Sequence, residues 1–103
     1  MGNEVMNKIE IKVDKTLNNL AGNRFGRSIY QEQIKADIDE NATNVVVLPK
    51  QIEDIASSFI QGMYSELSEK YGRERALDIM VLQSENEEVA KKIEYSLRVY
   101  SYW

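Results

Sequence analysis

Val45-Val46-Val47-Leu48-Pro49, followed eight residues on by Ser57-Ser58, is the stretch that decides how this chain of 103 residues folds. From Asn44 to Leu48 the chain is a continuous, mostly β-branched run without alternation, which predicts a strand covered on both faces. Pro49 has no N–H to give a ladder and should end it. Beyond a short loop, Ala56, Phe59 or Ile60, Met63, Leu67 and Tyr71 repeat at helical spacing, and Gly72 stands where a left-handed C-terminal cap is wanted. The two serines therefore open a helix that follows a buried strand. At such a position backbone N–H groups and the helix dipole favour negative charge.

Outward from this centre the pattern repeats. Ile9, Ile11 and Val13 alternate with Glu10 and Lys12, the period of a strand with one buried face. Residues 14–23 are rich in Asn and close with Gly22, a loop with room for a weak second strand. From Arg27 the period changes: Ile29 or Tyr30, Ile34 and Ile38 form one apolar stripe of a helix, and Asn41 and Asn44 bracket its exit turn. Residues 77–82 are nearly all apolar and predict a third strand. Val89, Ile93, Leu97 and Tyr100 define a last helix, with Ser84 and Glu87 spaced as a capping box. Strand, helix, strand, helix, strand, helix argues for a single α/β domain over residues 1–103, built on a small mixed sheet with at least two parallel neighbours. Pairing of the first strand stays open between parallel and antiparallel.

Composition narrows the chemistry. The formal net charge is −4, which disfavours nucleic acid and anionic membrane as partners. There is no Cys and no His, so thiol and imidazole nucleophiles and the usual zinc ligands are missing. A serine nucleophile would need another base, and no such pairing is visible. The acidic residues Glu66, Glu69, Glu85, Glu87 and Glu88 lack calcium-loop spacing and read as solvated helix faces. Neither a phosphate-cradling glycine loop nor an apolar run of roughly 18 residues is present. The expectation is a cytoplasmic, non-enzymatic protein with no cofactor and no metal.

Candidate contact residues follow from position. Ser57 and Ser58 have a plain reading, in which one caps the helix for about 1 kcal/mol, and a functional one, in which Ser58 is modified or touches a partner. A phosphate would add roughly −1.5 to −2 charge and change binding without unfolding its carrier. Arg24 and Arg27 put cations near a helix start, against the dipole; they are either solvated or aimed at a partner's carboxylate or phosphate. With parallel strands, helix starts gather at the carboxyl edge of the sheet, so Arg27, Ser58 and Ser84 would share one rim. Phe59 and Ile60 are adjacent and cannot point the same way, which leaves Phe59 a candidate partner anchor as well as a core residue. Tyr95, Tyr100, Tyr102 and Trp103 either pack over the sheet edge or form a patch for a homodimer or another partner.

Residues 23–100 resemble the small STAS-like domains, relatives of bacterial anti-sigma-factor antagonists. The likeness rests on the helix from Arg27 to Ile38, the strand Val45-Val46-Val47-Leu48, and above all Ile55-Ala56-Ser57-Ser58-Phe59 opening the next helix. The antagonists carry Asp-Ser-Ser-Gly there, with the second Ser phosphorylated by a partner kinase. Aligned on the serines, Ser58 takes that place, while Ala56 and Phe59 stand where the motif has Asp and Gly. The resemblance implies a regulatory module that binds an anti-sigma or histidine-kinase-like ATPase and carries phosphoserine at residue 58. A second expectation is a phage- or mobile-element-type accessory protein that acts by oligomerising or by blocking a partner.

Overall fold

In the computed structural model, which describes residues 6–99, Thr43–Val47 (β3) is the central strand of a three-stranded sheet. Met6–Glu10 (β1) and Met80–Gln83 (β5) flank it, both parallel to it, with Ile9 opposite Val46 and Val46 opposite Leu82. A two-residue parallel ladder, Asn19–Leu20 (β2) with Asp54–Ile55 (β4), stands apart. Helices Asn23–Ile29 (α1), Ser57–Tyr71 (α2), Arg73–Ile79 (α3) and Glu87–Arg98 (α4) complete the α/β fold. Among the described residues no helix is long and apolar enough to cross a membrane.

The strand order β1-β3-β5 moves one way across the sheet, so crossovers of one hand, right-handed by the general rule, carry both connections over the same face. Burial follows that arrangement. Ile9, Ile11, Val46, Leu48, Met80 and Leu82 are buried on the helix side. On the other side Val45 and Val47 are half-buried, and Lys8, Glu10, Val81 and Gln83 are exposed. Among the described residues the run at 45–48 is therefore fully covered on one face and only half-covered on the other, not buried on both. Pairing is parallel throughout, so the expected mixed sheet is corrected to an all-parallel one among the described residues.

Several local expectations shift for definable reasons. The first strand is Met6–Glu10, not residues 9–13; Ile11 N–H still bonds Val47 O at 3.2 Å, and the chain then leaves the sheet. The first helix starts at Asn23, after Gly22 at φ 98°, and continues as a π turn, Tyr30–Ile34, and a 3-10 turn, Lys35–Asp37. The run at 77–82 divides: Ala76 and Ile79, three apart, face the core from α3, and the strand begins only at Met80. Gly72 does separate α2 from α3, at φ 89° and ψ 160°, an extended positive-φ conformation rather than left-handed helix. The α4 cap is Asn86, whose side chain accepts from Glu88 N–H and Val89 N–H at 2.9 and 3.1 Å. Ser84 Oγ accepts from Asn86 N–H instead of forming a capping box with Glu87.

One polar side chain lies wholly inside. Asn44 is 0 % exposed, and its amide accepts from Asn7 Nδ2 at 2.8 Å and Asp39 N–H at 3.0 Å. It donates to Asp39 O at 2.9 Å and Ile79 O at 2.8 Å. Those bonds tie β1, the turn before β3 and the end of α3, where β5 follows, at the amino end of the sheet. A buried amide is stable when its donors and acceptors are met, as here.

Candidate site at the start of the second helix

Two glycines position the serines. A Cβ on Gly26 would lie 2.1 Å from Phe59 O, and one on Gly62 would lie 2.1 Å from Asn23 O. The backbones of α1 and α2 thus touch at a crossing that only hydrogen side chains permit. Phe25 and Phe59 seal one side of the crossing edge-to-face, with ring centroids 5.4 Å apart. Just beyond it Gly22 N–H donates to Ser58 Oγ at 3.0 Å. Ser58 is therefore half-buried and fastens the start of α1 to the start of α2.

Neither serine caps its helix. Ala56 occupies the cap position with no side-chain bond, while its N–H bonds Leu20 O at 2.8 Å across the small ladder. Ser57 is exposed, and its Oγ makes no hydrogen bond among the described residues. It lines a cleft of about 440 Å³ between β4, the start of α2 and α4. The far wall is α4, with Glu88, Lys91, Lys92 and Tyr95, and Val99 just past its end; Ile55 and Ser96 contribute to its floor. Tyr95 is 64 % exposed, an aromatic surface held out to solvent.

Charge in the cleft is arranged by one ion pair. Lys92 Nζ bonds Asp54 Oδ1, and Asp54 also accepts from Ile55 N–H at 3.0 Å. The Lys92 hydrogen bond holds the Asp54 carboxyl below the usual carboxylate range; lost hydration partly opposes it, and the Ile55 N–H adds to the lowering. Lys91 has no carboxylate partner among the described residues. Lys91, the paired Lys92, the Tyr95 ring and the Ser57 hydroxyl can together accept an acidic or phosphorylated surface, with the Glu88 carboxylate on the same wall opposing it.

The other expected residues fall as follows. Arg24 is exposed on the first turn of α1, and Arg27, half-buried, is in the second turn rather than at the helix start. Neither guanidinium has an ion-pair partner among the described residues. Ser84 is half-buried, and its hydrogen bond is the local one to Asn86. Phe59 and Ile60 are both 0 % exposed, which corrects the expectation of Phe59 as a surface anchor: it fills the core beside the glycine crossing. The aromatic ending from Tyr100 lies outside the described residues.

Gly26, Gly62, Lys91 and Lys92 were not legible as site residues, whereas Tyr95 was expected either in packing or in a surface patch and is exposed. Mid-helix glycines cost roughly 0.5–1 kcal/mol against alanine, so their presence in apolar-periodic helices was the usable signal. Among the described residues no three acidic side chains are grouped as a metal site. Comparison with protein-family models, with curated proteins and with solved structures finds no match.

Proposed function

We propose that the chain is a non-enzymatic regulatory module of STAS-like type, which binds a protein partner through the rim formed by Ser57, Ser58 and α4. The observation that carries this reading is the exposed, unbonded Ser57 hydroxyl at the mouth of the Lys91–Lys92–Tyr95 cleft. An anti-sigma or histidine-kinase-like ATPase is the partner class that the family resemblance supplies. The serine pair then offers two different consequences of added negative charge. On Ser57 it would enter the cleft and compete with Asp54 for Lys92. At Ser58 it would fall on the atom that accepts from Gly22 N–H, and the α1 entry turn would have to adjust.

Affinity capture with the wild-type chain, Ser57→Glu and Ser58→Glu tests this directly. The reading expects a partner retained by wild type and lost or strongly reduced with at least one variant. Identical proteins captured in identical yield by all three would remove the rim as the binding surface.

The second reading, an accessory protein that works by self-association, is favoured by the outer face of the sheet. Val81 there is 39 % exposed and Met6 63 % exposed, on a parallel sheet of a kind normally covered on both faces. Sedimentation velocity over a range of concentrations separates the two: a strictly monomeric chain sinks this reading and leaves the first untouched.

A further inference from the structure

On the outer face of the sheet, parallel register brings Lys8, Val45 and Val81 into one row across β1, β3 and β5, and Glu10, Val47 and Gln83 into the next. Met6 and Thr43 begin the face at its amino end. Side chains two apart share a face of a strand, so all of these point away from the side on which Ile9, Val46 and Leu82 are buried. Val45 and Val47 form a half-buried centre, with the exposed Val81 beside them. An apolar strip of this kind on a parallel sheet is normally covered. Among the described residues nothing covers it, for Lys8, Glu10, Val81 and Gln83 are all exposed.

Two features say what fits this face. The first is charge. Lys8 and Glu10 stand in adjacent rows of β1 with opposite signs. A two-fold axis lying across the strands, midway between the two rows, keeps β1 over β1 and reverses the order of the rows. Each Lys8 then meets the partner's Glu10, and each Val45 meets the partner's Val47. The second feature is relief. Met6 projects at the amino end of β1, and the carboxyl end of the same face has a hollow of about 330 Å³. Ile11, Val47, Leu48 and Pro49 wall that hollow, beside Lys8 and Glu10, while Lys50 and Glu85 at its rim pair with each other at 3.9 Å. The same rotation exchanges the two ends of β1, and so carries the partner's Met6 to the hollow. A surface complementary to itself in both charge and shape under one rotation fits a second copy of the chain.

We propose that the chain forms a symmetric dimer through this face, with Lys8 against the partner's Glu10 and Met6 in the partner's hollow. This rests on self-association, the second reading above, and gives it an axis and a register. Three strands of about five residues span only about 15 by 17 Å. That is small for a specific interface, so monomer and dimer exchange at high micromolar concentration.

The test is sedimentation velocity of the full chain, from about 10 μM to about 1 mM, on wild type, Lys8→Glu, Glu10→Lys and the double exchange. An equimolar mixture of the two single variants completes the set. Both side chains are exposed, at 66 % and 68 %, so reversal leaves the fold intact, which circular dichroism checks. Wild type is expected to self-associate. Each single variant sets like charges together twice and is expected to dimerise at least roughly tenfold more weakly. The mixture and the double exchange restore opposite charges and are expected to recover wild-type association. Single variants that associate like wild type, or a mixture no stronger than its parts, overturn the proposal while self-association through another surface stands. A wild-type chain that is monomeric throughout leaves the face to another occupant and overturns both.

Discussion

Replacing Gly62 by alanine should destabilise this protein, against the usual direction for a glycine inside a helix. The added Cβ would lie 2.1 Å from Asn23 O, a backbone atom that cannot swing aside. That is more than about 1 Å short of ordinary contact, so α1 and α2 must separate by a comparable distance. Overpacking against backbone costs about 3 kcal/mol. Separation would also stretch the Gly22–Ser58 hydrogen bond, now 3.0 Å, past bonding range, for about 1 kcal/mol more. Alanine's helix propensity returns about 1 kcal/mol. The net is a loss of about 3 kcal/mol, or a Tm lower by roughly 10–20 °C in a domain of this size. Urea and thermal unfolding of Gly62→Ala and Gly26→Ala measure it. The double variant should cost less than the sum, because helices already apart admit the second methyl cheaply. A Gly62→Ala protein more stable than wild type by about 1 kcal/mol, as at an unobstructed helical glycine, would refute the crossing.

Three further outcomes follow from the geometry. Asn44→Ala should cost about 3 kcal/mol in denaturant unfolding, since it strands Ile79 O in the interior and removes the bonds to Asp39 and Asn7; a loss under about 1 kcal/mol would contradict the buried network. The Asp54 carboxyl has a folded-state pKa below its unfolded value, so its contribution is present above the unfolded value and lost as pH falls through the folded one. Lys92→Met should accordingly flatten the acid limb of Tm against pH, and an unchanged acid limb would count against the pair. For Tyr30 the folded pKa is raised to about 12, so its contribution is full below the unfolded value of 10.0 and lost as pH climbs between the two. Ultraviolet titration should show a late-ionising tyrosine that Tyr30→Phe removes; uniform titration near the ordinary value would contradict its burial.

The strands were readable from residue pattern because β-branched runs such as Val45–Val47 have few alternatives. Their partners were not: Ile79–Leu82 suits a buried helix or a strand equally, and only the spacing of Ala76 and Ile79 hints at α3. The ladder between Asn19–Leu20 and Asp54–Ile55 is too short to leave a period at all. Ser57 and Ser58 could be placed at a helix start from sequence, yet their difference could not. It depends on Gly22 reaching across 36 positions to Ser58, which depends in turn on the Gly26–Gly62 crossing. Lys91 and Lys92 looked like ordinary surface residues, and Tyr95 could be singled out only as an aromatic, because the wall they build exists only once α4 packs beside β4.

Hydrogen exchange with a partner captured by the wild-type chain tests the central claim most directly. The account predicts slowed exchange over residues 54–60 and 88–96, the two walls of the Ser57 cleft, with little change over 43–47 and 80–83. Protection confined to those sheet strands, with the cleft exchanging as in the free protein, would contradict it.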